Sequence, residues 1–238
     1  MNRIDIRRAL LGLGVCGVLS SLTTVTNILL PRFYTPPADF AGRVALLENG
    51  YYMARQYILL VHPFLTLTGA LGILFYKFAE HPGKTLTGFV FAFAEKITEF
   101  FLGTTILFVV LAKWVKGYGE TADSALQATL RGRAEMFYDY LGGAYFLLWV
   151  TFTIAAVLFG LATRNGGRLE RVVSVFFFIT AVLTVLMLIG EYGGQNTWVR
   201  PILLWCDAPA LTTSRLLAGW MLIQAARRPL TAAGDAQT

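Results

Sequence analysis

Long apolar runs separated by short polar turns fill most of the chain: residues 9–31, 56–79, 85–113, 136–163, 171–190 and 202–226. A helix crosses the hydrocarbon layer with about 20 mostly apolar residues, so this pattern predicts an all-α, polytopic bundle of six transmembrane spans. The fifth run carries no charge from Val172 to Ile189, whereas each of the others contains something polar. No composition shift marks a linker and no internal repeat is evident, so residues 1–238 read as one helical domain. Arg3, Arg7 and Arg8 before the run Ala9–Leu30 imitate a secretory signal. That run is longer than a signal h-region and no Ala-x-Ala site follows it, so it is expected to be an uncleaved first span.

The segments between spans differ in character. Residues 31–55 hold Pro31, Pro36, Pro37, Tyr51 and Tyr52; residues 114–135 hold Gly117, Gly119 and a short helix expected over Thr121–Leu130; residues 190–201 form a Gly-rich turn with Trp198. Their aromatics read first as interface anchors.

Composition sharpens the class. Of 238 residues, 56% are hydrophobic and 14% charged, against roughly a quarter charged in soluble domains. Too little polar surface is available for a water-soluble enzyme. The formal charge of +6 is carried by Lys and Arg, which cluster in short turns and tails at Arg3, Arg7, Arg8, Lys77, Lys84, Arg164, Arg168, Arg171, Arg227 and Arg228. On the other side Arg32, Arg43, Arg55, Lys113, Lys116, Arg131, Arg133 and Arg200 are spread over longer loops. The positive-inside rule then places both termini in the cytoplasm. The charge is accounted for by an anionic membrane face, with membrane lipids as partners and no nucleic acid.

Two motifs mislead. Gly12-Leu13-Gly14-Val15-Cys16-Gly17 matches the dinucleotide pattern G-x-G-x-x-G, but that motif needs a strand leading into a helix N-terminus. Inside a membrane helix the glycines serve close helix packing. Haem held by paired histidines is excluded because His62 is the one histidine in a span, and His81 sits in the turn after the second. Zinc lacks a ligand set, so no cofactor or metal is expected. Cys16 and Cys206 read as small buried residues without a disulfide.

The third span carries the strongest chemistry. Gly88, Ala92, Glu95, Glu99 and Gly103 fall within a stripe about 80° wide, so small and acidic residues share one face. Lys96 borders the stripe and can reach Glu99 at i,i+3. On the second span Arg55, His62, Thr66 and Gly69 align; on the fourth, Asp139 and Gly143; on the sixth, Ala208, Thr212, Arg215 and Gly219. At about 1.5 Å per residue, Glu99, His62 and Arg215 reach a similar depth in the outer half, with Glu95 near mid-span. Asp139 lies shallower, and Glu191 and Asp207 sit at the rim. The inner half is expected to be almost purely apolar.

One reading of these groups is structural: Lys96–Glu99 and Arg215 with Glu95 or Glu99 would be buried pairs that fix helix register. The other is a pocket open to the outer side, with Glu95, Glu99 and His62 as catalytic groups and Arg215, Lys96, Asp139, Arg55, Glu191 and Asp207 as binding groups. Neighbouring carboxylates can share a proton, which sets a general acid beside a general base for isomerising or cyclising a lipid or isoprenoid-like substrate. The same set could relay protons in a small transporter or belong to a non-catalytic accessory subunit of a homo- or hetero-oligomer. Transporters more often carry repeats or broken helices, and Pro63 and Pro209 are the candidate breaks here.

The stretches Arg164-Asn165-Gly166-Gly167-Arg168-Leu169-Glu170-Arg171 and Gly219-Trp220-Met221-Leu222-Ile223, with Arg227 beyond, resemble a large bacterial family of uncharacterised six-helix integral membrane proteins. The first is similar to that family's short basic turn between helices four and five, the second to its closing Trp-Leu-Leu stretch. The resemblance implies a six-helix fold in a bacterial inner membrane and carries no catalytic residue with it.

Overall fold

The computed structural model describes residues 3–194 and 196–228, with the backbone alone at residues 3, 4, 196–201, 203 and 204. The side chains of Arg3, Trp198 and Arg200, which bear on the expected loops and charge balance, therefore lie outside the described residues. Among the described residues every regular element is helical: α1 (Arg3–Leu29), α2 (Phe40–Ala45), α3 (Gly50–Lys77), α4 (Pro82–Thr105), α5 (Lys116–Glu120), α6 (Ser124–Thr163), α7 (Arg168–Tyr192) and α8 (Asn196–Arg227), with short 3-10 turns at Leu30–Phe33 and Leu46–Glu48. Between α4 and α5 the chain winds as a π-helix over Ile106–Val115, where the Lys116 amide donates to the Leu111 carbonyl. α4, the π segment and α5 thus form one continuous rod from Pro82 to Glu120.

Five of these helical stretches are long and apolar enough to cross a membrane: Asp5–Phe33, Gly50–Lys77, Pro82–Glu120, Ser124–Thr163 and Arg168–Tyr192. α8 is not among them, because Asp207, Pro209 and Arg215, together with Thr212, Thr213 and Ser214, dilute its apolar character. Among the described residues five of the six expected spans thus qualify by length and hydropathy, and the sixth, 202–226, lies on a helix that does not. Large apolar side chains such as Leu22, Phe75, Phe101 and Val182 point outward and are more than half exposed, as they would toward lipid rather than water.

The six long helices close a ring in the order α1, α3, α4, α6, α7, α8 and back to α1. The closure of α8 on α1 depends on glycine. A Cβ on Gly17 would lie 2.9 Å from the Gly219 Cα, and one on Gly219 would lie 2.6 Å from the Val18 backbone nitrogen. A Cβ on Gly69 of α3 would likewise lie 3.1 Å from the Gly17 Cα. The G-x-G-x-x-G pattern is therefore a helix-packing face, formed by Gly14 and Gly17, while Gly12 meets nothing within 4 Å.

The first turns of α1 and the last turn of α8 meet at one end of the ring, where the Arg7 guanidinium donates to the Arg228 carbonyl. This end is not the apolar half expected. Lys77 and Glu170 are 2% and 3% exposed there and form an ion pair. Glu80 accepts from Lys77 at 2.7 Å, and the Tyr76 hydroxyl donates to Glu170 at 2.8 Å. Lys77 ends α3 and Glu170 opens α7, so no helical spacing could have signalled their contact.

At the other end the helices outrun the expected spans. α6 has 40 residues, which at 1.5 Å per residue is about 60 Å, twice the thickness of the hydrocarbon layer. The short helix expected over Thr121–Leu130 is instead the first part of α6, capped by Asp123, whose carboxylate accepts from the amides of Ala125 and Leu126. Polar residues 124–135 stopped the hydropathy run without stopping the helix. Phe40 of α2 packs with Leu107, Val110, Leu111, Val115 and Ala134 into a second core at this end, and its ring meets that of Tyr118 edge-on at 4.7 Å. The main core, built around Ile73, Ala155, Phe159, Val173 and Leu222, lies toward the terminal end. The expected buried state of the cysteines is corrected: Cys206 is exposed and Cys16 half-buried, and both are free thiols.

A candidate ligand cavity within the helix ring

Between the two cores the ring encloses a cavity of about 340 Å³ to which all six long helices contribute, among them Thr24 of α1, His62 of α3, Glu95 of α4, Tyr145 of α6, Thr184 of α7 and Arg215 of α8. On α4 the stripe Gly88, Ala92, Glu95 and Gly103 is buried and Glu99 half-buried. The small residues let α3 and α6 approach, and the two acids take the space this leaves.

Lys96 sits between the carboxylates. Its Nζ lies 2.6 Å from Glu95 Oε1 and 2.7 Å from Glu99 Oε2. All three line the cavity; the Glu95 and Lys96 side chains are 5% and 3% exposed, while Glu99 reaches 19% and is the most accessible of them. One ammonium serving two carboxylates leaves the triad with an excess negative charge when all three are ionised.

Arg215 faces the same space from α8. Its Nη1 donates to Thr24 Oγ1 at 2.5 Å and to His62 Nε2 at 2.8 Å. A guanidinium can only donate, so His62 Nε2 accepts and the ring proton resides on Nδ1. That proton goes to Thr23 Oγ1 at 2.7 Å, and the Thr23 hydroxyl donates to the Ser20 carbonyl at 2.9 Å. The structural alternative of Arg215 paired with Glu95 or Glu99 is corrected: no ion pair among the described residues includes Arg215, and hydroxyl and imidazole acceptors hold it instead. His62, which needs a free lone pair to act as a base, has its Nε2 engaged by Arg215.

Arg55 and Asp207 also line the cavity. They lie about two helical turns from His62 and Arg215 on their own helices, toward the end away from the termini. Arg55 Nε donates to the Asn27 carbonyl at 3.3 Å. Asp139 and Glu191 are exposed and do not border the cavity, so the structure does not bring these two together with the rest. Sequence reasoning left out Tyr145, Trp149 and Phe152, the aromatic wall supplied by α6. Their spacing of four and three residues was legible as one helix face, but nothing in it distinguished a cavity wall from core packing. A smaller, apolar cavity of about 70 Å³ lies beyond Glu95 and Arg215, bordered by Gly17, Gly69, Ala92 and Ala218.

Among the described residues no cluster of His, Cys, Asp and Glu has the geometry to hold a metal ion. No family model, no curated protein and no solved structure matches the chain.

Proposed function

We propose that the chain is a six-span protein of a bacterial inner membrane with both termini cytoplasmic, and that its cavity, open to the outer side, performs acid–base chemistry on a lipid or isoprenoid-like substrate. The cavity carries this reading. Its volume falls within the range of small-molecule sites, its walls are aromatic and aliphatic, and titratable groups converge at one end. In this reading α8 is the sixth span, its polar residues turned into the ring where lipid does not reach them. The basic turns and the meeting of the start of α1 with the end of α8 support the orientation. Reporter fusions test it: a periplasm-active enzyme joined at Lys116 should be active and one joined at Gly166 inactive, and the reverse pattern rejects the topology.

In the proposed chemistry Glu99, the more accessible carboxylate, takes a proton from one position of the substrate and returns it at another, giving an isomeric or cyclised product without any redox change. Glu95, held through Lys96, tunes how readily Glu99 does so. One observation favours the accessory-subunit alternative, namely that Lys96 contacts both carboxylates; the cavity beside them favours a ligand. Incubation of the purified protein with an isoprenoid lipid extract should yield a chromatographically resolved product of unchanged mass. Glu99→Gln, folded by circular dichroism, should yield about 10²-fold less or none, the scale of lost acid–base assistance. No product from the wild-type protein, or equal product from the variant, rejects the enzymatic reading.

A further inference from the structure

The charged groups around the cavity differ in what holds them. Lys96 is bound on two sides by Glu95 and Glu99. Arg215 donates through one nitrogen to the neutral acceptors Thr24 and His62, Arg55 donates through Nε to a backbone carbonyl, and neither arginine enters an ion pair among the described residues. The formal charges of the lining nevertheless sum to zero, with Arg55, Lys96 and Arg215 against Glu95, Glu99 and Asp207. A head group bearing a net charge would unbalance the inner end of a site held within a low-dielectric bundle, where an uncompensated ion is costly.

What the inner end of the cavity does offer is a donor and an acceptor on opposite walls. Arg215 on α8 has guanidinium N–H groups beyond the nitrogen that binds Thr24 and His62. Glu99 on α4 has a second carboxylate oxygen, Oε1, beyond the one that Lys96 holds. A group between them must accept from one side and donate to the other, which is what a hydroxyl does. From there Phe152, Trp149 and Tyr145 follow one another along α6 toward the mouth at Arg55 and Asp207, an apolar wall suited to a hydrocarbon chain.

We propose that the cavity binds a neutral amphiphile, a long-chain or isoprenoid alcohol, with its hydroxyl between Arg215 and Glu99 and its chain along the α6 aromatics. This inference rests on the reading of the cavity as a ligand site and adds the charge class and orientation of the ligand. The test uses the full-length protein in nanodiscs and isothermal titration against empty nanodiscs. The probes are geraniol, geranic acid and geranylamine, which share one chain and differ in head group, at a pH where the acid and the amine are ionised. A second protein, Ala208→Phe, fills the cavity from its lining. Geraniol should bind the wild-type protein and lose its binding to Ala208→Phe, and the two ionic probes should bind at least about tenfold more weakly than the alcohol. Equal or tighter binding of either ionic probe, lost in Ala208→Phe, overturns the neutral-head inference and leaves the ligand-cavity reading standing. Binding of all three that Ala208→Phe leaves unchanged, or no binding at all, rejects the cavity reading and this inference with it.

Discussion

Lys96→Met is expected to destabilise the protein by about 3–5 kcal/mol, the cost of removing one partner from a buried ionic cluster. The lysine is 3% exposed and its ammonium contacts Glu95 and Glu99 at 2.6 and 2.7 Å. With it gone, two carboxylates four residues apart on one helix face each other without a cation in contact. The cost should fall on the charge rather than on packing, since methionine keeps most of the side-chain volume. The triple variant Lys96→Met, Glu95→Gln and Glu99→Gln should therefore recover most of the loss. Thermal unfolding in detergent of the single and triple variants checks this, and a Lys96→Met protein as stable as the wild type would mean the cluster does not form.

Gly219→Val should cost more than the roughly 1–3 kcal/mol of ordinary overpacking. In most cores a new methyl group pushes aside a flexible side chain. Here the nearest atoms are the Val18 nitrogen at 2.6 Å and the Gly14 carbonyl oxygen at 2.7 Å, both backbone. Relief requires α8 to separate from α1, which opens the ring at the one joint between the first and last helices. Gly12→Val, in the α1 glycine motif that α8 packs against but with nothing within 4 Å, should leave stability within about 0.5 kcal/mol of wild type. The pair of unfolding midpoints separates packing from any general effect of putting valine at a helical glycine; equal loss in both variants would mean that α8 does not close on α1 in this way.

Much of the site was legible because helical periodicity is local. The stripe Gly88–Gly103, the pairing of Lys96 with Glu99 and the inward face of Arg215 all follow from about 100° per residue along one helix. What periodicity omits is which helix stands opposite. Arg215 was expected to reach an acid because acids are the commonest partners for a buried arginine, yet the ring places α1 and α3 beside it, and Thr24 and His62 are what those helices present. Lys77 and Glu170 escaped notice for the same reason, each looking like an ordinary charge at a helix end. The span limits failed differently: hydropathy reports where lipid ends, while Asp123 and the π segment govern where the helix does.

The rod ending at Glu120 and the start of α6 at Ser124 leave only Thr121, Ala122 and Asp123 between two helices that run well past the expected membrane spans. That geometry suits image alignment in electron cryomicroscopy, where a small protein enclosed in a detergent belt offers few features. A helical scaffold protein inserted at Ala122, with its own helices fused in phase to α5 and α6, would inherit their direction rather than swing on a linker. The second core under Phe40 braces both arms of this hairpin, so the orientation of such a marker would report directly on the helix ring that holds Glu95, Lys96 and Glu99.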